Sequence, residues 1–289
     1  MLGGALSLTS RLLSRAAAPQ PQLGQLLRAS TRALSSSAKA ASPFDSSRLV
    51  FLSHAKQHDD DSSGSAGQGV VVLNLNRPQA ANAISTTLLA QLHEALAFLR
   101  FPSSSSDEAS RRGQEEPVAR TLVIRSLAPR VFCAGADLKE RAGMRLSQVD
   151  AFLLSLRAAF SAIERLPLPV IAALDGLAMG GGLELALCAD IRVAGPAATR
   201  LGLTEAKLGI IPGAGGTQRL SRLLGPSRAK DLIFSGRLLN HRQAYDVGLV
   251  DHVAEEWDGK GLGDGQEAFG KALQLAAEIS QNGECSRWS

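Results

Sequence analysis

The chain has 289 residues, 45% of them hydrophobic and 20% charged, with a formal net charge of +4, which is the make-up of a soluble globular protein with one sizeable core or two small ones. Its three cysteines, Cys133, Cys188 and Cys285, are odd in number and show no Cys-x-x-Cys spacing, which excludes a disulfide framework and a zinc ribbon and fits a reducing compartment. Only His54 and His58 among the five histidines have i, i+4 spacing, and they lie in a polar stretch with no helical pattern, so no metal site is expected.

Residues 1–44 hold Arg11, Arg15, Arg28, Arg32 and Lys39 with no acidic residue, and are rich in Ser, Ala and Leu. That is the composition of a mitochondrial transit peptide. Arg32-Ala33-Leu34-Ser35 resembles a matrix-processing site, so residues 1–34 are expected to be the leader and the mature start to lie near Ser35. No apolar run of the length a membrane span needs is expected. The chain carries 31 basic and 27 acidic residues, and the four arginines before Ser35 account for the excess. The mature part is formally neutral, without the basic footprint of an RNA-binding protein.

Beyond an extended or disordered segment at 35–69, strand-like and helix-like runs alternate, the pattern of an α/β fold. Val70 to Leu75 predicts a strand, Ser85 to Leu99 a helix with a Leu/Ala stripe, and Arg120 to Arg125 a strand. Ser147 to Leu166 predicts a longer helix stopped by Pro167-Leu168-Pro169. Val170 to Leu174 reads as a buried strand leading into Asp175-Gly176, followed by a helix at Gly182 to Cys188 and a strand at Ile191 to Ala194. Helices are predicted again at Thr217 to Leu224 and Ser227 to Phe234. Gln57 to Gly69 and Pro102 to Pro117, rich in Ser, Gly and charged residues, read as solvated loops, the second as a surface insertion rather than a domain boundary.

Two glycine-containing turns stand out, with Glu184 and Glu205 downstream of them. Ala134-Gly135-Ala136-Asp137 pairs small residues with a glycine, so that backbone N–H groups can approach a ligand; taken alone, it is equally a strand-to-helix turn capped by Asp137. Gly180-Gly181-Gly182 precedes a helical run, presents unpaired N–H donors, and sets Glu184 about one turn from Gly181. Neither this run nor Gly213-Ala214-Gly215-Gly216 fits G-x-G-x-x-G, and no Gly-Lys-Ser/Thr follows, so nucleotide binding of those kinds is not expected. Glu205 alone reads as a helix-entry residue capped by Thr204, and Gly209 to Gly216 as a rigid Pro/Gly loop. Cys133 reads as a small packing residue, and no G-x-S-x-G elbow supports a serine hydrolase. Jointly, two N–H donors and two carboxylates suit a thioester carbonyl that becomes an enolate while water's proton and hydroxyl cross a C=C bond.

These segments resemble the enoyl-CoA hydratase/isomerase (crotonase) superfamily. Leu122 to Met144, Ile171 to Ala194 and Thr204 to Leu220 are similar to the mitochondrial methylglutaconyl-CoA hydratases of leucine breakdown. The likeness starts at Leu73-Asn74-Leu75-Asn76-Arg77-Pro78 with Asn82-Ala83-Ile84, runs to about Val253 and fades beyond Ser280. It implies a crotonase-like α/β fold of repeated strand-strand-helix units over residues 70–280, acting on an acyl-CoA thioester with no metal or redox cofactor, coenzyme A being part of the substrate. By resemblance, Ala134 and Gly181 supply the oxyanion-hole N–H groups, with residues 134–137 and Gly181 as the substrate-binding turns. Glu184 helps activate water for attack at Cβ, and Glu205 provides the proton to Cα. A homotrimer or dimer of trimers in the mitochondrial matrix is implied. A short-chain hydratase of fatty acid β-oxidation, a non-catalytic truncated form and an RNA-binding protein are the alternatives, the last disfavoured because Leu88 to Arg100 carries no Lys. Three departures from the family are Gln79, where relatives carry Lys near the CoA phosphates, the Pro102 to Pro117 stretch, which is longer than usual, and residues 281–289, where relatives continue through further helices.

Overall fold

The computed structural model describes residues 42–55, 69–100, 119–254 and 265–282. The proposed leader, nearly all of the two low-complexity stretches, His58, Cys285 and the tail from 283 lie outside these residues.

Six strands form the larger sheet: β1 (Val50–His54), β2 (Val70–Leu75), β3 (Thr121–Ser126), β5 (Val170–Leu174), β7 (Ile191–Ala194) and β9 (His252–Val253), hydrogen-bonded in that order. A smaller sheet joins β4 (Val131–Cys133), β6 (Leu177–Met179) and β8 (Leu201–Gly202). Among the described strands only β1 runs antiparallel to its neighbour. The expected repeat is therefore present. β3–β4, β5–β6 and β7–β8 each send one strand to the larger sheet and the next to the smaller. The smaller sheet escapes a sequence reading because its strands are two or three residues long, too short to display a period of two.

The segment 35–69 requires a correction, since Val50–His54 pairs with β2 from Val50↔Leu75 to His54↔Val71 and so belongs to the folded core. Val50 and Leu52 are buried on the same face as Val71, Leu73 and Leu75, which anchors this edge despite the polar stretch between the two strands. The opposite face of the larger sheet, including Val70, Val72, Val123, Ile171 and Val193, is covered by Ala268, Phe269, Ala272 and Ala276 of a C-terminal helix, residues Glu267–Gln281. Burial on both faces explains why the central strands read as continuous apolar runs.

Helix α1 (Thr86–Arg100) buries Leu88, Leu89, Leu92, Ala95, Leu96 and Leu99, and the Ser85 hydroxyl caps its first turn by accepting from Leu88 N at 3.1 Å. A short α2 (Leu138–Ala142) precedes α3 (Leu146–Glu164). α3 is long and apolar enough to cross a membrane by length and composition alone, but its Phe152, Leu156, Ala159, Phe160 and Ile163 are buried in the core beside α1. The next helices are α4 (Gly181–Ala186), α5 (Gly216–Leu224), α6 (Pro226–Ser235), α7 (His241–Asp246) and α8, the C-terminal helix just described. α4 ends two residues before the predicted Cys188; the other predicted helices agree within two residues at each end.

Candidate active site

The smaller sheet is parallel, so the C-terminal ends of its strands lie together. Residues 134–137 follow β4, Gly180 to Gly182 follow β6, and Glu205 follows β8. Three segments remote in sequence thus meet because they occupy the same position in successive repeats.

The two turns touch backbone to backbone. Gly135 has φ +96°, and a Cβ built on it would lie 2.8 Å from the Met179 carbonyl oxygen and 3.3 Å from the Gly181 nitrogen; only glycine suits both the angle and the gap. A Cβ on Gly181 would stand 3.6 Å from the Ala136 nitrogen. Asp137 caps α2 by accepting from Glu140 N at 3.1 Å and pairs with Arg77 Nη1 at 2.7 Å. That pairing, first through the Arg77 hydrogen bond, holds its carboxyl below the usual range. Arg77 also donates to the Ala83 carbonyl at 2.8 Å, so the Arg77-Pro78 and Asn82-Ala83-Ile84 motifs serve to brace this turn.

The donor role expected of Ala134 is not met. The Ala134 N–H donates to the Ala81 carbonyl at 3.0 Å and the Asp137 N–H to the Ile84 carbonyl at 3.1 Å. The left-handed residue Gly135 lets both face residues 81–84. Ala134 therefore has no N–H to offer a ligand. Among the described residues the N–H groups of Ala136 and Gly181 have no acceptor, and these two lie side by side. The N–H left without an acceptor lies two residues after the one expected, because N–H direction depends on backbone angles that no side chain announces.

Glu184, on α4, is 2% exposed. Its Oε1 accepts from Ala214 N at 2.8 Å and Gly216 N at 2.7 Å, while its Oε2 has no partner among the described residues. Burial raises its pKa, opposed by those two N–H groups and by the charges of Arg219 and Arg157. Glu205 opens a 3₁₀ turn, residues Glu205–Leu208, and Thr204 makes no side-chain cap, contrary to the capping role expected of it. The Glu205 carboxyl is pushed up to about 7, chiefly by burial and further by the nearby Glu184 charge. Its Oε2 is buried without a hydrogen-bond partner, and its Oε1 lies 3.2 Å from where a Cβ on Gly180 would be. The Glu205 carboxyl is thus set directly against the second turn.

Cys133 is buried, donates to the Asn82 carbonyl at 3.1 Å, and has its thiol pushed up to about 12 by burial, in keeping with a packing role. The part of the site that sequence reasoning missed is the clamp on Glu184. Residues 213–216 read as a rigid loop, but their contribution is through backbone N–H groups. No group of three or more His, Cys, Asp or Glu among the described residues could hold a metal ion.

The sequence profile described as enoyl-CoA hydratase/isomerase matches residues 65–259, more than half of the chain. The mitochondrial methylglutaconyl-CoA hydratase of Mus musculus is 49% identical over 216 residues, 75% of this chain and 62% of the relative. Its Homo sapiens counterpart is 48% identical over the same share of this chain and 58% of the relative. The chain thus spans less than two thirds of the length of these curated relatives. A 1.8 Å crystal structure of an enoyl-CoA hydratase from Bacillus anthracis superposes with a TM-score of 0.68 at 38% identity, covering 82% of this chain and 78% of that one. On the extent of the profile match and the shared fold, the chain belongs to the enoyl-CoA hydratase/isomerase family.

Proposed function

We propose that this chain is an enoyl-CoA hydratase that adds water across the double bond of an enoyl-CoA thioester, with 3-methylglutaconyl-CoA in leucine catabolism as its substrate. The observation that carries the reading is the convergence of two N–H donors without acceptors, at Ala136 and Gly181, with a buried Glu205 oxygen that has no partner. The relatives named methylglutaconyl-CoA hydratase support the choice of acyl group.

In the proposed reaction, the free oxygen of Glu184 takes a proton from water as its oxygen attacks Cβ. The π electrons shift toward the thioester oxygen, and the enolate is held by the Ala136 and Gly181 N–H groups. Protonated Glu205 then delivers its proton to Cα. The two environments suit this division of labour. Glu184, with two N–H donors and two nearby arginines, is helped to ionise. Glu205, with few partners, retains a proton near neutral pH. Loss of one oxyanion donor costs about 3 to 4 kcal/mol in comparable sites, and loss of either carboxyl costs roughly 100- to 10,000-fold in rate. This chemistry calls on no metal or redox cofactor, and coenzyme A enters only as part of the substrate.

Action in the mitochondrial matrix as a homotrimer or dimer of trimers belongs to the same proposal. The names of the mitochondrial relatives support the location. The test is loss of conjugated enoyl-thioester absorbance when the purified chain meets 3-methylglutaconyl-CoA or crotonyl-CoA, with Glu184→Gln as the control. Turnover abolished by the substitution, with 3-methylglutaconyl-CoA preferred, is the expected result. Preference for crotonyl-CoA would replace leucine catabolism by β-oxidation, and a folded protein without turnover would overturn the hydratase reading.

A further inference from the structure

The loop that clamps Glu184 is itself held from behind by two arginines. Arg219, on α5, donates from Nη1 to the Ala214 carbonyl at 2.8 Å and from Nη2 to Glu164 Oε2 at 2.8 Å. Arg157, on α3, donates from Nε to the Gly213 carbonyl at 2.6 Å. Glu164 closes α3, so the larger core helix and α5 grip the same four-residue loop. On its other side that loop presents the Ala214 and Gly216 N–H groups to Glu184 Oε1.

We infer that Arg219, anchored by Glu164, is a positioning residue for Glu184: by holding the Ala214 carbonyl it keeps the loop's two N–H groups aimed at Oε1, which leaves Oε2 as the oxygen that works on water. The chemistry follows from lone pairs. An oxygen accepting two N–H bonds has both in-plane lone pairs engaged and is a poor base, whereas its free partner retains both. The two N–H bonds also fix the carboxyl plane, and so the direction in which Oε2 faces. Arg219 is suited to this task by its fork, which reaches a carbonyl and a carboxylate at once; a lysine supplies the charge from a single point without that geometry. Its largely buried charge additionally favours the ionised form of Glu184.

The kinetic consequence rests on the hydratase reading; the structural one does not. In the full chain, Arg219→Met should lower kcat on the order of a hundredfold, the scale of a misplacement of about 1 Å, with KM nearly unchanged. The acid-side limb of the pH–rate profile should move to higher pH, because the neighbouring cation and the aimed N–H donors both favour ionised Glu184. Arg219→Lys should restore most of the limb but little of kcat, separating charge from aim. Titration of the Glu184 carboxyl carbon by NMR in the unliganded protein supplies a readout that needs no turnover. An upward displacement in Arg219→Met supports the inference even if the chain hydrates nothing, an outcome that would count against the hydratase reading alone. A folded Arg219→Met protein whose Glu184 titrates as in the parent overturns the inference, as does full rescue of kcat by lysine.

Discussion

Replacing Glu205 by glutamine should make the protein a worse catalyst and, above neutral pH, a more stable one. The carboxyl ordinarily titrates at 4.5 and is pushed up to about 7 in the fold. Between those values the folded chain holds a proton that the unfolded chain has released. Raising the pH through this window therefore favours unfolding, and above about 7 the loss is complete. At about 1.4 kcal/mol per pH unit, the interval corresponds to about 3 kcal/mol of stability lost from this one side chain. Glutamine is nearly isosteric and carries no titrating proton, so Glu205→Gln should escape that loss. The variant should exceed the parent by up to about 3 kcal/mol near pH 8 and match it near pH 4, with melting temperatures about 5 to 10 °C apart at the higher pH. Circular-dichroism melts at the two pH values measure the difference, and the enoyl-thioester assay should show a loss of roughly 100- to 10,000-fold on the same preparations. Equal melting temperatures at both pH values would show that Glu205 is ionised in the folded protein and cannot be the proton donor.

Gly182→Ala tests the contact between the two turns. A Cβ there would fall 2.0 Å from the Cys133 carbonyl oxygen and 2.7 Å from its carbon, both backbone atoms on a buried strand, so the substitution should cost about 3 kcal/mol, the upper end of ordinary overpacking. An unchanged urea midpoint would refute that packing. Asp175→Ala removes the carboxylate that accepts from Ala268 N at 2.7 Å and Phe269 N at 2.9 Å at the start of α8, a loss of about 1 to 2 kcal/mol. Because burial pushes Asp175 up to about 6 from 3.8, the parent gains stability as pH falls through that window. The deficit of the alanine variant should therefore widen from about pH 8 to about pH 5 in thermal melts, and a deficit that narrows would contradict the cause assigned to the shift.

The sequence alone determined those features that depend on local chemistry. Apolar spacing predicts α1, α3, α5 and α6; runs of β-branched and aliphatic residues predict the central strands; glycine runs and the glutamates downstream of them mark the elements that bear the proposed site. Asp137 as a cap and Cys133 as a packing residue were legible for the same reason. Tertiary structure decided three matters that residue identity does not encode. The smaller sheet exists only as pairing between segments of two or three residues, and that pairing brings 134–137, 180–182 and Glu205 to one end. In the first turn the N–H without an acceptor is that of Ala136 rather than Ala134, because residues 81–84 lie alongside and engage the Ala134 N–H. The unequal environments of Glu184 and Glu205 arise from where backbone N–H groups of 213–216 point. A hydrogen bond from the main chain looks the same in every sequence, and only the folded chain assigns it a direction.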